Sequence, residues 1–170
     1  VEQSETGHLR LFGVPGLSLF AEYLNNRQAT EDTFDEDGWF MTGDRVTLDA
    51  DGGITFADRD KDMLKVGAEN VAASEIERVI ALVPGVYECA VVAQKHKMLD
   101  EVPIAFVLPA PGIKVEGNNE LPAAVLDACR RNLADFKVPR QVILVQDFPR
   151  STLEKIAKVE LRKRLPPLAG

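Results

Sequence analysis

The sequence has little of what usually identifies a function. Cysteine occurs only at Cys89 and Cys129, without C-x-x-C or Cys/His spacing. A disulfide framework and a structural metal are therefore excluded, and both residues read as reduced core thiols of a cytoplasmic protein. Histidine also occurs twice, and His8 and His96 are isolated and read as exposed. G-x-S-x-G, Walker and H-E-x-x-H patterns are absent, so nucleophilic triads, P-loops and zinc hydrolases drop out. Aromatic residues make up 6% and the formal charge is −7, so no basic surface interleaved with aromatics is available for nucleic acid. No apolar run approaches the ~20 residues that span a bilayer. The start, Val1-Glu2-Gln3-Ser4-Glu5, is acidic and unlike a secretory signal, and it lacks an initiator Met. The expectation is a chain that begins inside a longer polypeptide.

What is present describes a folded chain. Hydrophobic residues at 45% and charged residues at 28% of the 170 positions match average globular usage, enough for one domain or two small lobes. Charge is uneven: residues 1–57 carry 11 acidic and 3 basic side chains, residues 58–170 carry 16 and 17. Arg150, Lys155, Lys158, Arg162, Lys163 and Arg164 crowd the last stretch, where any polyanion should dock; a solvated basic helix is the simpler reading of the charge alone.

Turn signals fill the first third. They predict a strand at 9–12, the turn Gly13-Val14-Pro15-Gly16, a short helix or turn near 31–34, and a hairpin joining 46–48 to 54–57 through an acidic loop. Five successive charges, Asp58-Arg59-Asp60-Lys61-Asp62, predict a solvent-exposed linker and a domain boundary. Beyond it the pattern predicts a hairpin over 63–71 and a helix at 74–82 capped by Ser74. Strands follow at 86–93 and 102–108, then a helix at 122–133, a strand at 141–145 and a helix at 156–165 stopped by Pro166-Pro167. This order is that of a small α+β lobe, with residues 168–170 expected to fray.

Chemistry has to come from charged residues in tight turns. Asp44, after Thr42-Gly43, can accept both hydroxyls of a ribose, or can cap its own turn. Arg59 can donate to the same sugar, or pair with Asp58, Asp60 or Asp62. Lys155 follows a turn-rich segment, where an ammonium can neutralise charge developing on a phosphate.

Together these pieces resemble the AMP-forming adenylating enzymes: acyl-CoA synthetases, adenylation domains of peptide synthetases, and luciferases. Gly38-Trp39-Phe40-Met41-Thr42-Gly43-Asp44 is similar to that family's G-[WY]-[FLY]-x-T-G-D motif. The run from Asp58 through Lys61 and Lys65-Val66-Gly67-Ala68-Glu69-Asn70 is similar to its D-R-x-K-D hinge and following hairpin. Glu75-Ile76-Glu77 matches the opening of the next helix, and Phe148-Pro149-Arg150-Ser151-Thr152-Leu153-Glu154-Lys155 matches the terminal [LF]-P-[RK]-[TS]-x-x-G-K. Gly13-Val14-Pro15-Gly16, Phe20-Ala21-Glu22-Tyr23 and Asp37-Gly38-Trp39 resemble in particular the crotonobetaine/carnitine-CoA ligases and their short and medium acyl relatives.

The resemblance implies an α+β fold: a mobile C-terminal lid domain at 58–170, built of a β-hairpin plus a three-stranded sheet with flanking helices, preceded by the β-rich end of a large N-terminal domain at 1–57. It implies an ATP-dependent acid-CoA ligase in the full-length protein, with ATP, CoA and a carboxylic acid as substrates, Mg2+ accompanying ATP on ligands outside this chain, and no activity for these residues alone. By position Asp44 and Arg59 would hold the ribose, Lys155 would bridge acyl carboxylate and α-phosphate, and Lys61 would be the hinge. Lys65, Gly67 and Ala68 would face the active site in the thioester-forming state. Two residues depart from the pattern. Ala68 replaces a glycine near the pantetheine path, and Glu154 replaces the glycine before Lys155, with Lys155 or Lys158 as its available partners. The alternatives are transfer to a carrier-protein phosphopantetheine and a non-catalytic interaction module.

Overall fold

The computed structural model describes residues 5–151 and 153–166 and divides into two compact units, Val1–Lys61 and Asp62–Gly170. The acidic start up to Ser4 and the expected fraying of 168–170 lie outside the described residues.

In the first unit, strands β1 (Thr6–Leu11), β2 (Phe40–Leu48) and β3 (Ile54–Arg59) form an antiparallel sheet in the order β1-β2-β3. β2 and β3 are the expected hairpin, closed where the Asp49 amide donates to the Gly53 carbonyl at 2.8 Å. Helix α1 (Arg27–Glu31) begins earlier than the expected 31–34, because the Asn26 side chain caps it by accepting from the Ala29 amide. Phe20, Tyr23, Phe34 and Phe40 pack in a chain of ring contacts with centroids 4.9 to 6.1 Å apart. Val46 is the one buried hydrophobic residue among the described residues of this unit, while Phe12, Leu17, Leu24, Ile54 and Phe56 are exposed.

The second unit opens with the end of a 3-10 turn, Asp60–Asp62, and runs through β4 (Met63–Val66), β5 (Glu69–Ala72), α2 (Ala73–Ala81), β6 (Val86–His96), β7 (Asp100–Pro109), α3 (Glu120–Asn132), β8 (Gln141–Leu144) and α4 (Lys158–Lys163). The order is the expected one. β7 organises the sheet: it pairs antiparallel with β6 along its whole length and parallel with β8 at Ile104 to Val107, and it takes β4 through the single pair Val66 and Asp100. The hairpin and the three remaining strands thus form one five-stranded sheet. Residues 102–107 of β7 are all buried, because helices cover both faces and both side-chain directions point into core. Val91, Ala105 and Val107 pack with Ile76 and Ile80 of α2 and Val125 and Cys129 of α3. Ala90, Val92, Val102, Ile104 and Phe106 pack with Phe148 and with Leu161 of α4. Ile76 and Ile80, one turn apart, are fully buried, and truncating either to Ala would cost about 2–5 kcal/mol.

Three local expectations are corrected. The stretch 58–62 is exposed only in part: Arg59, Asp60 and Lys61 are exposed, but Asp58 and Arg59 finish β3, Asp58 is only 5% exposed, and its Oδ1 accepts the Arg59 amide at 2.8 Å. Burial of a charge is tolerated there because hydrogen bonds replace water. Ser74 does not cap α2, since β5 runs directly into the helix and Ala72 holds the cap position while still paired with Met63. His96 is half-buried rather than exposed, and its Nδ1 accepts the Met98 and Leu99 amides at 3.2 Å each, shaping the β6–β7 turn.

Candidate active site

Asp44 owes its position to a bulge. Between the pairs Arg10–Met41 and His8–Arg45, β1 contributes only Leu9 while β2 contributes Thr42, Gly43 and Asp44. Gly43 takes φ +72, and no neighbour lies within 4 Å of the place a Cβ would take; the backbone angle, not space, requires glycine. Thr42 locks the bulge twice, donating its hydroxyl to the Leu9 carbonyl at 2.8 Å and accepting the Asp44 amide at 3.1 Å. Asp44 therefore does not cap the turn; Thr42 does. Directly opposite on β3, Arg59 donates its Nε to Asp44 Oδ1 at 2.8 Å. This is a different partner from the three acidic neighbours that the sequence offered it.

Lys61 lies exposed in the middle of the 3-10 turn. Its neighbour Asp62 faces the second unit's interior, 3.8 Å from both Lys158 Nζ and the Arg162 guanidinium. Lys158 also reaches Glu77 Oε1 at 2.8 Å, and that same oxygen accepts the Val91 amide at 2.7 Å. Four side chains from the turn, α2 and α4 thereby share one half-buried ionic network.

Lys65, Gly67 and Ala68 share the β4–β5 hairpin, whose closing pair is Val66 and Glu69. Lys65 is exposed and its amide donates to Glu101 Oε2 at 2.9 Å, tying the hairpin to β7. Gly67 takes φ +62, whereas Ala68 is not among the non-glycine residues with positive φ. Only the first central residue of the turn needs the left-handed region, as in type II′ hairpins, so alanine fits at the second without backbone strain.

Lys155 stands on a closed loop. Arg150 and Ile156 form an isolated antiparallel bridge, the Ser151 amide donates to the Lys155 carbonyl at 2.8 Å, and the Ala157 amide donates to the Pro149 carbonyl at 2.7 Å. The bridge takes Ile156 out of the expected last helix, so α4 starts only at Lys158. Lys155 is exposed and makes no ion pair with the described residues. Glu154 pairs with neither Lys155 nor Lys158 among the described residues; instead it holds φ +59, the reason a glycine suits this position. Arg150 grips the loop, donating Nη1 to the Glu154 carbonyl at 3.0 Å and forking onto Glu88 of β6 at 2.6 and 3.3 Å. The hydrogen bond to Glu88 holds the Arg150 guanidinium above its usual range.

The structure thus joins Asp44 to Arg59, gathers Lys65, Gly67 and Ala68 on one turn, and sets Lys155 on its own loop. Glu77, Glu88 and Glu101 were not singled out as site residues by sequence reasoning, because a carboxylate at one position of a strand or helix reads as solvated whatever it reaches across the fold. A hollow of about 460 Å³ between α2 and α3, lined by Val79, Val83, Ala124 and Ala128 among others, contains none of the predicted site residues. Burial pushes the Cys89 thiol up to about 12, with the charge of Glu77 adding to it, and pushes Cys129 up to about 11.

Residues 75–155 match the family model described as the AMP-binding enzyme C-terminal domain. Crotonobetaine/carnitine-CoA ligase of Proteus mirabilis (strain HI4320) is 37% identical over 162 residues, 95% of this chain and 30% of its own length. ATP-bound MatB from Rhodopseudomonas palustris superposes with a TM-score of 0.80 at 33% identity, covering 96% of this chain and 31% of that one. The anthranilate CoA ligase AuaEII in complex with anthranoyl-AMP superposes at 0.82 and 30% identity, with the same shares covered. Fold and motifs define the mixed α/β C-terminal domain of adenylate-forming enzymes. Residues 75–155 belong to that domain family, and nearly the whole chain is similar to the C-terminal portion of AMP-forming acyl-CoA ligases. It spans about 30% of the length of the curated relatives it matches. No helix among the described residues is long and apolar enough to cross a membrane.

Proposed function

We propose that these residues are the C-terminal part of an ATP-dependent, AMP-forming acid-CoA ligase of the cytoplasm. The carboxylate of the substrate attacks the α-phosphate of ATP, pyrophosphate leaves, and an acyl-adenylate forms. The CoA thiol then attacks the acyl carbon, loses its proton and expels AMP. Mg2+ enters with the nucleotide as part of the substrate. The names of the curated relatives support carnitine, crotonobetaine or another short to medium acid as the acyl group.

The observation that carries this reading is Lys155: an exposed ammonium without an ion pair among the described residues, on a loop closed by backbone hydrogen bonds and a side-chain clamp. A cation held ready across the acyl carboxylate and the α-phosphate stabilises the transition state more than the separated ground state. Asp44 and Arg59 take the ribose, Lys61 is the hinge, and Lys65, Gly67 and Ala68 face the site during thioester formation. Residues 1–57, extended by Asp58 and Arg59 at the end of β3, are the end of the large domain, and the rest of 58–170, beyond the hinge, is the mobile lid. The apolar side chains that the first unit leaves exposed support its being completed by further polypeptide.

The test is Lys155→Ala in the full-length protein. Pyrophosphate exchange should fall on the order of 10² to 10³-fold, while thioester formation from preformed acyl-adenylate persists. Equal loss of both steps overturns the assignment. No exchange with any carboxylic acid by the unaltered full-length protein would favour an interaction module, and acylation of a holo carrier protein in place of CoA would change the acceptor.

A further inference from the structure

We propose that Glu88 and Arg150 are positioning residues for adenylation: the pair holds the peptide group in front of Lys155 in the left-handed conformation that sets the direction of the lysine. This rests on the reading of Lys155 above.

No ion pair with the described residues holds the Lys155 ammonium, so its location depends on the backbone that carries it. The Glu154 carbonyl belongs to the planar peptide unit that includes the Lys155 nitrogen, so fixing that oxygen fixes the plane from which the lysine departs. Glu154 is at φ +59, a region that residues with a Cβ rarely occupy. Something outside the residue must therefore hold it. The Glu154 amide is tied to the Ser151 carbonyl at 3.0 Å, and its carbonyl is taken by Arg150 Nη1 at 3.0 Å.

Arg150 is in turn aimed by Glu88, whose two oxygens receive Nη2 at 2.6 Å and Nη1 at 3.3 Å. Glu88 sits in β6 opposite Leu108 of β7, inside the longest ladder of the unit. A line of direct contacts thus runs from the sheet through Glu88, Arg150 and the Glu154 carbonyl to Lys155. A planar fork is needed because one Nη must serve a carboxylate and a carbonyl together, which a single ammonium cannot do in the same geometry. Where the family has glycine before its lysine, the left-handed angle is intrinsically accessible. With Glu154 in that place, this chain leans on the clamp.

The experiment uses the full-length protein with Glu88→Gln, Arg150→Lys and the exchanged pair Glu88→Arg/Arg150→Glu. It reads kcat and KM for ATP in pyrophosphate exchange, thioester formation from preformed acyl-adenylate, and Tm. Glu88→Gln and Arg150→Lys should each lower exchange kcat by about 10-fold or more, since displacing a reacting group by an ångström is enough for that, with KM for ATP moved less than about twofold. The exchanged pair restores the ion pair but leaves no donor at position 150 for the Glu154 carbonyl. It should therefore recover Tm without recovering exchange.

In the Glu154→Gly background the Arg150→Lys penalty should shrink to less than about threefold, because glycine holds the angle unaided. Recovery of exchange by the exchanged pair, or equal loss of both half-reactions together with Tm, would make the pair a plain stabiliser and overturn the proposal. An unchanged exchange rate in Glu88→Gln would do the same. Lys155→Ala run alongside separates the two claims: if it leaves exchange intact, the role of Lys155 fails; if it abolishes exchange while the clamp variants do not, only the clamp fails.

Discussion

Asp44 and Arg59 face each other as direct partners in the β2–β3 ladder, and Arg59 Nε donates to Asp44 Oδ1 at 2.8 Å. As an ion pair at a half-exposed site it adds at most about 1 kcal/mol to stability. Its larger effect is on aim, since the guanidinium orients the carboxylate that the Gly43 bulge projects. With Asp44 as the ribose acceptor, Asp44→Ala should raise KM for ATP by roughly 10 to 100-fold, the equivalent of one or two charge-assisted hydrogen bonds. Arg59→Met should give a smaller rise, and the double variant less than the product of the two. ATP titrations of pyrophosphate exchange check this; a drop in kcat at constant KM contradicts the ribose role.

Lys61 occupies a 3-10 turn, whose φ range near −60° is the one that proline imposes. Lys61→Pro should therefore be accommodated in the observed state and resist a swing to another. Adenylation is expected to stay within about threefold of the parent while thioester formation drops 10-fold or more, a split typical of blocked gating. Single-turnover measurements of the two half-reactions decide it, and equal slowing of both speaks against a hinge.

Glu154 and Ala68 both stand where the family has glycine, yet opposite outcomes are expected on restoring it. Glu154→Gly relieves a left-handed non-glycine residue, a strain of order 1 kcal/mol, and should raise Tm by a few degrees. Ala68→Gly relieves nothing and loosens the unfolded chain, so it should cost about 0.4–1 kcal/mol. Thermal melts of the two variants test the contrast; a common sign would refute it.

The thiols predict an alkaline weakness. Cys89 and Cys129 are raised in the fold to about 12 and about 11, so between the unfolded value of 9.0 and those values the folded chain holds more protons than the unfolded one. Stability from this source is complete below pH 9 and is lost as pH climbs toward 11 and 12. The loss of Tm between pH 8 and pH 10.5 should be smaller in Cys89→Ala/Cys129→Ala than in the parent. At pH 8 both thiols should react with a disulfide reagent far more slowly folded than in denaturant.

The local pattern of residues settled much of this molecule. Ile76 and Ile80 at helical spacing made α2 legible, Pro84-Gly85 marked its end, and the apolar run at 102–108 marked a strand, though not that both its faces are covered. The ordered motifs named Asp44, Arg59, Lys61 and Lys155 as candidates for one chemistry, through their resemblance to the motifs of a known family.

What the tertiary structure decided lies between residues far apart in the chain. Asp58 is buried although five charges in a row read as a linker, since only the folded strand shows which of them turns inward. Glu77 reaches Lys158 and the Val91 amide, and Glu88 reaches Arg150, 62 positions away. A carboxylate on a strand carries no local mark of whether water or a guanidinium will face it; sheet register and helix docking choose its partner. Propensity and spacing act over a few residues and are written in the sequence, whereas the clamp behind Lys155 exists only once β6 and the terminal loop are packed together.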